Sequence, residues 1–307
     1  MKRLIIVYSQ YSTLFAEANI KVIAESRKLK GWMVAKFEVK ELSDYKETLR
    51  NLARIIRKGD LVLAAGGDGL ATMAMNAVIQ SGVIATLAVM PFGNFNDFAS
   101  TLGRMDFETI IRKFEEGRYE EFYPLEVRVN DRHYTYSGVY FTVGMMAEAA
   151  EVLEDLKVRK KLTRAKNRMK YSAKKLFRWY RKNKHRKDLL PEAMRLNDTK
   201  VMKYTTDYVA MNGASLAGVV PGGTWYKDAE KFWSGTMRNR SIVRMFRKFV
   251  KALEGELPGK ESRRDVLTFD KPSGVFVCAE GDGYKLDDVS KIEIKKSDKS
   301  LRVIQNN

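Results

Sequence analysis

One cysteine, Cys278, stands in 307 residues. No internal disulfide framework can form from it, and such sparse thiol use suits a reducing cytoplasm. No apolar run approaches the roughly 18 residues that a membrane-spanning helix needs. Met1-Lys2-Arg3 followed by Leu4-Ile5-Ile6-Val7-Tyr8 mimics the start of a signal peptide. Its apolar part is too short for one, so a first core strand is expected there. There are two histidines, His133 and His185, and neither stands in a metal-ligand spacing. Between Lys157 and Lys187 there is no Asp or Glu at all, against sixteen Lys or Arg. That segment holds nearly all of the net charge of +18. A local field of this kind attracts lipid headgroups, nucleic acid or polyphosphate. No internal repeat is present, and no low-complexity tract beyond the basic run.

What is there fits one large or two ordinary domains, with 45% hydrophobic residues to build a core. The first 120 residues alternate apolar strands with amphipathic helices. Strands are expected at Leu4–Tyr8, around Met33–Phe37, at Leu61–Ala65 and at Ala85–Met90. Helices are expected at Ala16–Lys30, Tyr45–Lys58, Ala71–Gln80 and Phe107–Glu115. Strand and helix in turn predict a mostly parallel sheet covered on both faces. After Tyr119 the pattern changes. Leu125, Val127 and Val129 alternate with Glu126 and Arg128 at the strand period, behind Pro124. Tyr134–Val143, Tyr204–Asn212, Arg264–Phe269, Val275–Cys278 and Ile292–Lys296 are further strand candidates. An antiparallel sheet or sandwich follows, interrupted by the basic segment as a long helix and by a helix at Ile242–Leu253.

Two strand ends carry polar loops. Leu61–Ala65 runs into Gly66-Gly67-Asp68-Gly69. Glycines let backbone amides approach phosphate oxygens near a helix start, and Asp68 can orient Mg²⁺ or ligand hydroxyls. The Gly-Lys-Ser/Thr ending of a P-loop is missing, as is a full dinucleotide fingerprint. Ala85–Met90 runs into Pro91-Phe92-Gly93-Asn94-Phe95-Asn96-Asp97-Phe98-Ala99. There Asn94 and Asn96 can donate to phosphate or a base, and Asp97 can cap the next helical turn. A plain strand-to-helix turn also uses Gly, Asn and Asp, so each loop alone is ordinary. Two at one sheet edge make a place for a phosphorylated ligand.

The order Gly-Gly-Asp-Gly, then Pro-x-Gly-x-x-Asn-Asp-Phe-Ala, then Leu102-Gly103 resembles the diacylglycerol kinase catalytic domain family, with its lipid kinases and sphingosine kinases, and more distantly the NAD kinases. Thr142-Val143-Gly144-Met145-Met146-Ala147-Glu148, Ala210-Met211-Asn212-Gly213 and Val277-Cys278-Ala279-Glu280-Gly281-Asp282-Gly283 resemble its later blocks. The resemblance implies an NAD kinase/diacylglycerol kinase-like fold. A Rossmann-like parallel-sheet nucleotide domain would span 1–121, with 298–307 packing back on it. An antiparallel β-sandwich substrate domain would span 122–297, with a helical insertion at 151–187. It implies Mg²⁺ and ATP held by Gly66, Gly67, Asp68, Gly69 and Asn96. Asp282 is then expected to supply the base or metal contacts for attack by a lipid hydroxyl on the γ-phosphoryl.

Several positions depart from the family pattern. The first strand ends in Ser9-Gln10-Tyr11-Ser12-Thr13, where hydroxyls of Ser9 and Thr13 replace a glycine-bearing phosphate loop. Leu70 removes a hydroxyl from the phosphate-side helix start, and Asn94-Phe95 replaces Thr-Gly. Tyr284 stands for the Glu of Asp-Gly-Glu, and a phenol with a pKa of about 10 is a poor base at neutral pH. No acid precedes Gly235 where the family has a metal-associated one. Asp282 is left as the principal acid, with Glu280 or Asp287 as compensating carboxylates; Glu280 shares a face with Asp282 if the strand continues. Active lipid kinase and a catalytically weak nucleotide- or lipid-binding member of the fold are the two main alternatives. A soluble nucleotide kinase of the NAD kinase type is the third, and it leaves the basic helix unexplained.

Within 157–187, Val158, Leu162, Ala165, Met169, Ala173, Leu176 and Tyr180 form one apolar stripe on a basic helix. Docking on an anionic membrane surface, where a lipid substrate resides, is set against simple packing on the second domain. The expected location is cytoplasmic and peripherally membrane-associated. Nucleic acid is disfavoured as a partner, since no recognised motif supports it. The oligomeric state stays open, a homodimer included.

Overall fold

The computed structural model describes residues 1–10, 12, 17–40, 45–93, 96–154, 175, 178–179, 182, 194–201, 205–216, 220–238, 259–280 and 282–306. It divides into two compact units, Met1–Pro124 with Ser297–Asn307, and Leu125–Lys296.

The first unit holds β1 (Arg3–Tyr8), α1 (Glu17–Ala24), β2 (Met33–Glu38), α2 (Tyr45–Ile55), β3 (Leu61–Gly66), α3 (Asp68–Ser81), β4 (Thr86–Pro91), α4 (Asp97–Thr101), α5 (Phe107–Glu115) and β5 (Glu120–Phe122). The sheet order is β2-β1-β3-β4-β18-β5, where β18 (Leu301–Val303) comes from the far end of the sequence. β1 through β4 and β18 pair in parallel, and β5 is antiparallel to β18. Leu4–Val7 and Leu61–Ala65 are fully buried, as strands covered on both faces must be. Helices follow the strands because their apolar positions recur at helical spacing. Leu52 and Ala53 of α2 and Ile110 and Ile111 of α5 face inward. Asp106 starts α5 by accepting the Thr109 N–H at 2.7 Å. α1 is shorter than its periodicity predicts, because the chain turns into a 3₁₀ segment at Arg27–Leu29 behind a Ser26 cap.

The second unit is antiparallel. It contains β6 (Leu125–Val129), β7 (Arg132–Ser137), β8 (Tyr140–Gly144), α6 (Met145–Glu154), β9 (Met194–Leu196), β10 (Thr199–Lys200), β11 (Thr205–Met211), the short pair β12 (Ser215–Leu216) and β13 (Val220–Pro221), β14 (Phe232–Arg238), β15 (Lys260–Ser262), β16 (Arg264–Ala279) and β17 (Asp282–Lys296). Ten strands form one sheet along β15-β14-β11-β8-β16-β17-β6-β7, with β9 and β10 added beside β16. Register shifts between Thr268 and Val275 bulge the long β16–β17 pair, as an extra residue in a ladder does. Apolar side chains of β6, β8, β9, β11, β14, β16 and β17 meet in one core that includes Phe141, Tyr208, Phe232 and Ile292. The fold class is therefore mixed α/β, a Rossmann-like parallel-rich sheet in one unit and an antiparallel sheet in the other.

Three expectations need correcting. Tyr134–Val143 is not one strand. Gly138 and Val139 break it, Ser137 Oγ donates to the Tyr140 carbonyl across the break, and β7 and β8 pair with different neighbours. The chain also does not continue as strand from Ala279 to Asp282. Glu280 takes a left-handed φ of 50° and opens the turn that joins β16 to β17. The short β9–β10 hairpin at Asn197-Asp198 was not expected at all; its two left-handed residues have the backbone of a two-residue hairpin turn. The expected helix at 242–253 lies outside the described residues. Of the basic segment, Lys175, Arg178, Trp179 and Lys182 are described, all helical.

Candidate functional site

In the first unit the strand order reverses between β1 and β3, so the loops after these strands flank a topological switch point. Ligands of open α/β sheets bind at the carboxyl ends of strands there. After β1, Ser12 N–H donates to the Ser9 carbonyl at 3.0 Å and closes a tight turn. After β3, Gly66 and Gly67 lead directly into α3. A methyl group on Gly66 would lie 3.0 Å from Ser12 Oγ and would overlap the Leu70 side chain. After β4, Phe92 N–H donates to the Gly66 carbonyl at 2.9 Å. A methyl on Gly67 would stand 3.2 Å from Gly93 Cα, and one on Gly93 would overlap Gly67 Cα. The two glycine corners therefore touch backbone to backbone, and a side chain on Gly93 would push them apart.

Two side chains tie this arrangement. Asp68 Oδ1 accepts the Phe98 N–H at 2.8 Å, which fastens the start of α3 to α4. Asn96 closes its own loop: its Oδ1 accepts Gly93 N–H at 2.8 Å and its Nδ2 donates to the Gly93 carbonyl at 2.9 Å. It does so from a left-handed φ of 57°, which Asn tolerates better than most residues. Asp97, expected as a cap, is instead the first residue of α4 and fully buried, with Asn96 at the cap position. A helix leaves its first amide hydrogens without intrahelical acceptors. The first amides of α3 are of this kind, and Gly67 and Gly69 carry no side chain there. Such a helix start can receive phosphate oxygens. Among the described residues no group of three His, Cys, Asp or Glu is placed to hold a metal. The donor set suits Mg²⁺ arriving with phosphates and keeping its waters, with Asp68 as the nearby carboxylate.

In the second unit the candidate acids flank the β16–β17 turn. Glu280 is 2% exposed. Its Oε1 accepts Val139 N–H at 2.7 Å and lies 2.9 Å from Ser137 Oγ, whose one hydrogen it shares with the Tyr140 carbonyl. That carboxylate braces the loop between β7 and β8. Asp282 begins β17 opposite Ala279. Tyr284 is 41% exposed and pairs with Val277, and Asp287 is exposed beside Lys285. Ser234, at the position expected to be acidic, is buried on β14 opposite Ala210.

Among the ionisable groups that the same unit buries are Asp207 and Lys296, which the sequence did not single out. Asp207 Oδ1 accepts Met146 N–H at 2.6 Å and caps α6 from a neighbouring strand. Burial pushes its carboxyl up from 3.8 to about 6. Lys296 is 5% exposed, with its ammonium donating to Asn212 Oδ1 and to the Trp225 carbonyl at 2.6 Å. Burial pulls it down from 10.5 to about 7, against the opposing attraction of Asp228. Only the placement of Asn212 at a strand end was readable beforehand; nothing near Lys296 in sequence marks it as buried.

The structure thus brings Ser9, Gly66, Gly67, Asp68, Gly69 and Asn96 to one sheet edge of the first unit, and Glu280 and Asp282 to one turn of the second. Thr13 and Asn94 lie outside the described residues, as does the side chain of Asp282. Ser12 and Gly93 join the first group without having been named as binding residues.

A parallel sheet with paired glycine corners at its switch point, followed by an antiparallel unit, defines a two-unit α/β architecture. Residues 3–127 match the family model of the diacylglycerol kinase catalytic domain. The resemblance read from the motifs is thereby shown for that segment. A solved structure described as a diacylglycerol kinase from Bacillus anthracis str. Sterne is similar over 99% of this chain and 97% of its own, at 14% identity and a TM-score of 0.61. Two further structures from the same organism, provisionally assigned to the same activity, share 15% identity at a TM-score of 0.65 with the same coverage. At these identities the likeness establishes the fold alone. The sequence matches no curated protein. No helix among the described residues is long and apolar enough to cross a membrane.

Proposed function

We propose that the protein is an ATP-dependent lipid kinase that moves the γ-phosphoryl of ATP to the hydroxyl of diacylglycerol or a related lipid alcohol. The observation that carries this reading is the backbone contact between the Gly67 and Gly93 corners at the switch point, within the segment that matches the family. Gly66, Gly67, Gly69 and Asn96 take the phosphates, with the hydroxyls of Ser9 and Thr13 and the amide of Asn94 as further contacts. Mg²⁺ would supply charge neutralisation when bound with ATP, and Asp68 would be its carboxylate contact. Asp282 accepts the proton of the lipid hydroxyl as its oxygen bonds to the γ-phosphorus and the bridging bond to ADP breaks. Residues 1–121 and 122–297 are the nucleotide and lipid-substrate domains of this reading. The basic segment 157–187 draws the enzyme to an anionic membrane from the cytoplasm.

A second reading, a binding protein that has lost catalysis, is favoured by two observations. Tyr284 occupies the place of the expected Glu, and Glu280 is committed to bracing Val139 and Ser137. One assay separates the two. γ-Labelled ATP is incubated with vesicles of anionic phospholipid and diacylglycerol, with wild type, Asp68→Asn and Asp282→Asn compared. Label in the organic phase that both substitutions remove supports the kinase. Mg-ATP binding with no extractable label supports the binding protein, and unchanged activity in both variants refutes the site assignment.

A further inference from the structure

The buried lysine lies at one end of a chain of hydrogen bonds that reaches the turn of Asp282. Lys296 is the last residue of β17, and its side-chain nitrogen donates to the Asn212 side-chain oxygen. That fixes which way the carboxamide faces. Asn212 Nδ2 is left to donate to the Gly138 carbonyl at 2.7 Å. The Asn212 and Gly213 amides both donate to the Val139 carbonyl, at 2.7 and 2.9 Å. The opposite side of the same short segment is held by Glu280, through Val139 N–H and Ser137 Oγ–H. Glu280 in turn opens the turn that presents Asp282. Lys296 also donates to the Trp225 carbonyl, and Tyr226 N–H donates to the Asn212 carbonyl at 2.8 Å. Asn212 is thus gripped from β17, from the 225–227 turn and from the β7–β8 loop.

We propose that Lys296 is a positioning residue for the Asp282 turn, acting through Asn212, the Gly138–Val139 segment and Glu280. It touches no reacting atom. It sets the orientation of one amide, and that orientation is passed along backbone and side-chain hydrogen bonds to the carboxylate that anchors the turn. A misplaced acid loses turnover while nucleotide binding, assigned to the other unit, is unaffected. The catalytic half of this inference rests on the lipid kinase reading above; the mechanical half does not.

The test compares the full chain as wild type, Lys296→Met and Asn212→Asp. Asn212→Asp keeps an acceptor for Lys296 but has no hydrogen for Gly138, so it cuts the chain one link further on. It also keeps the proposal testable if Lys296→Met fails to fold. Amide hydrogen exchange is read at Val139 and at 280–283. Both variants are expected to speed exchange there about tenfold or more, and Leu4–Val7 stays at wild-type rates. Loosening confined to 225–231, with Val139 and the turn unchanged, overturns the coupling. In the vesicle assay both variants should lower kcat about tenfold or more, with KM for ATP within about twofold, and the double variant should be no worse than either single one. A raised KM for ATP with unchanged kcat overturns the positioning role. If wild type transfers no label to lipid, the kinase reading falls, and the exchange result still decides whether the chain of contacts exists.

Discussion

The two units put their candidate groups in place by different means. In the first, the site is made of backbone. Gly66, Gly67 and Gly93 come together because the ends of β3 and β4 are neighbours in a parallel sheet and nothing projects between them. In the second, it is made of side chains brought from distant positions: Glu280 to Val139, Asn212 to Gly138, Lys296 to Asn212. Backbone corners of this kind tolerate almost no added bulk. A side-chain site tolerates changes of shape at its margins but carries buried ionisable groups whose charge state follows the solution. In the proposed reading the first holds the triphosphate and the second places the proton acceptor.

The largest effect expected from breaking this division is on turnover. Asp282→Asn should lower phosphoryl transfer by about 10²–10⁴-fold, the usual worth of a general base, and leave ATP affinity unchanged. Steady-state kinetics and equilibrium binding on one preparation test both halves; equal losses in each would erase the distinction between the units.

Matched glycine substitutions sharpen the comparison. In Gly93→Ala the new methyl meets Gly67 Cα, and in Gly222→Ala of the second unit it meets the Gly213 carbonyl oxygen. Both should lower stability by about 1–3 kcal/mol, as overpacking does. Only Gly93→Ala should also weaken ATP binding. Thermal denaturation with and without ATP reads the two effects; similar ATP-dependent shifts in both variants would contradict the account.

Solution pH should act on the second unit. The Asp207 carboxyl is raised from 3.8 to about 6, so its favourable contribution is present below 3.8 and is lost as pH rises through about 6. The Lys296 amine is lowered from 10.5 to about 7, so its contribution is present above 10.5 and is lost as pH falls through about 7. Both burials cost most between about pH 6 and 7. Relative to Lys296→Met, wild type should gain up to about 1.4 kcal/mol per pH unit between 7 and 10. A stability difference between the two that does not change with pH would show that Lys296 is not held in this buried state.

The smallest effect is a control. Asp106→Ala removes the cap on α5, which belongs to neither set of groups, and should cost about 1 kcal/mol without touching kcat or ATP affinity. Any kinetic change in this variant would mean that stability losses leak into the assays.

What the sequence made legible follows the same division. β1, β3 and β4 could be placed because short apolar runs bounded by turn residues suit buried strands, and α5 because its apolar positions recur at helical spacing. The glycine corners were legible because close backbone approach demands glycine at a strand end. The role of Glu280 was not. An expected strand continuing through it gave the carboxylate a shared face with Asp282, whereas its left-handed φ makes it part of a turn. Asn212 and Lys296 are 84 positions apart, and Asp207 meets α6 from a strand 61 positions beyond. Contacts at such separation leave no local pattern, so the buried charges of the second unit became visible only in the folded chain.

The claim on which the rest depends is that the two glycine corners hold the triphosphate. Amide hydrogen exchange of the intact protein with and without Mg-ATP tests it directly. The account predicts that ATP slows exchange at 66–70 and 92–98 together, and that Gly93→Ala abolishes the protection in both. ATP binding that protects neither loop, or one loop without the other, would contradict it.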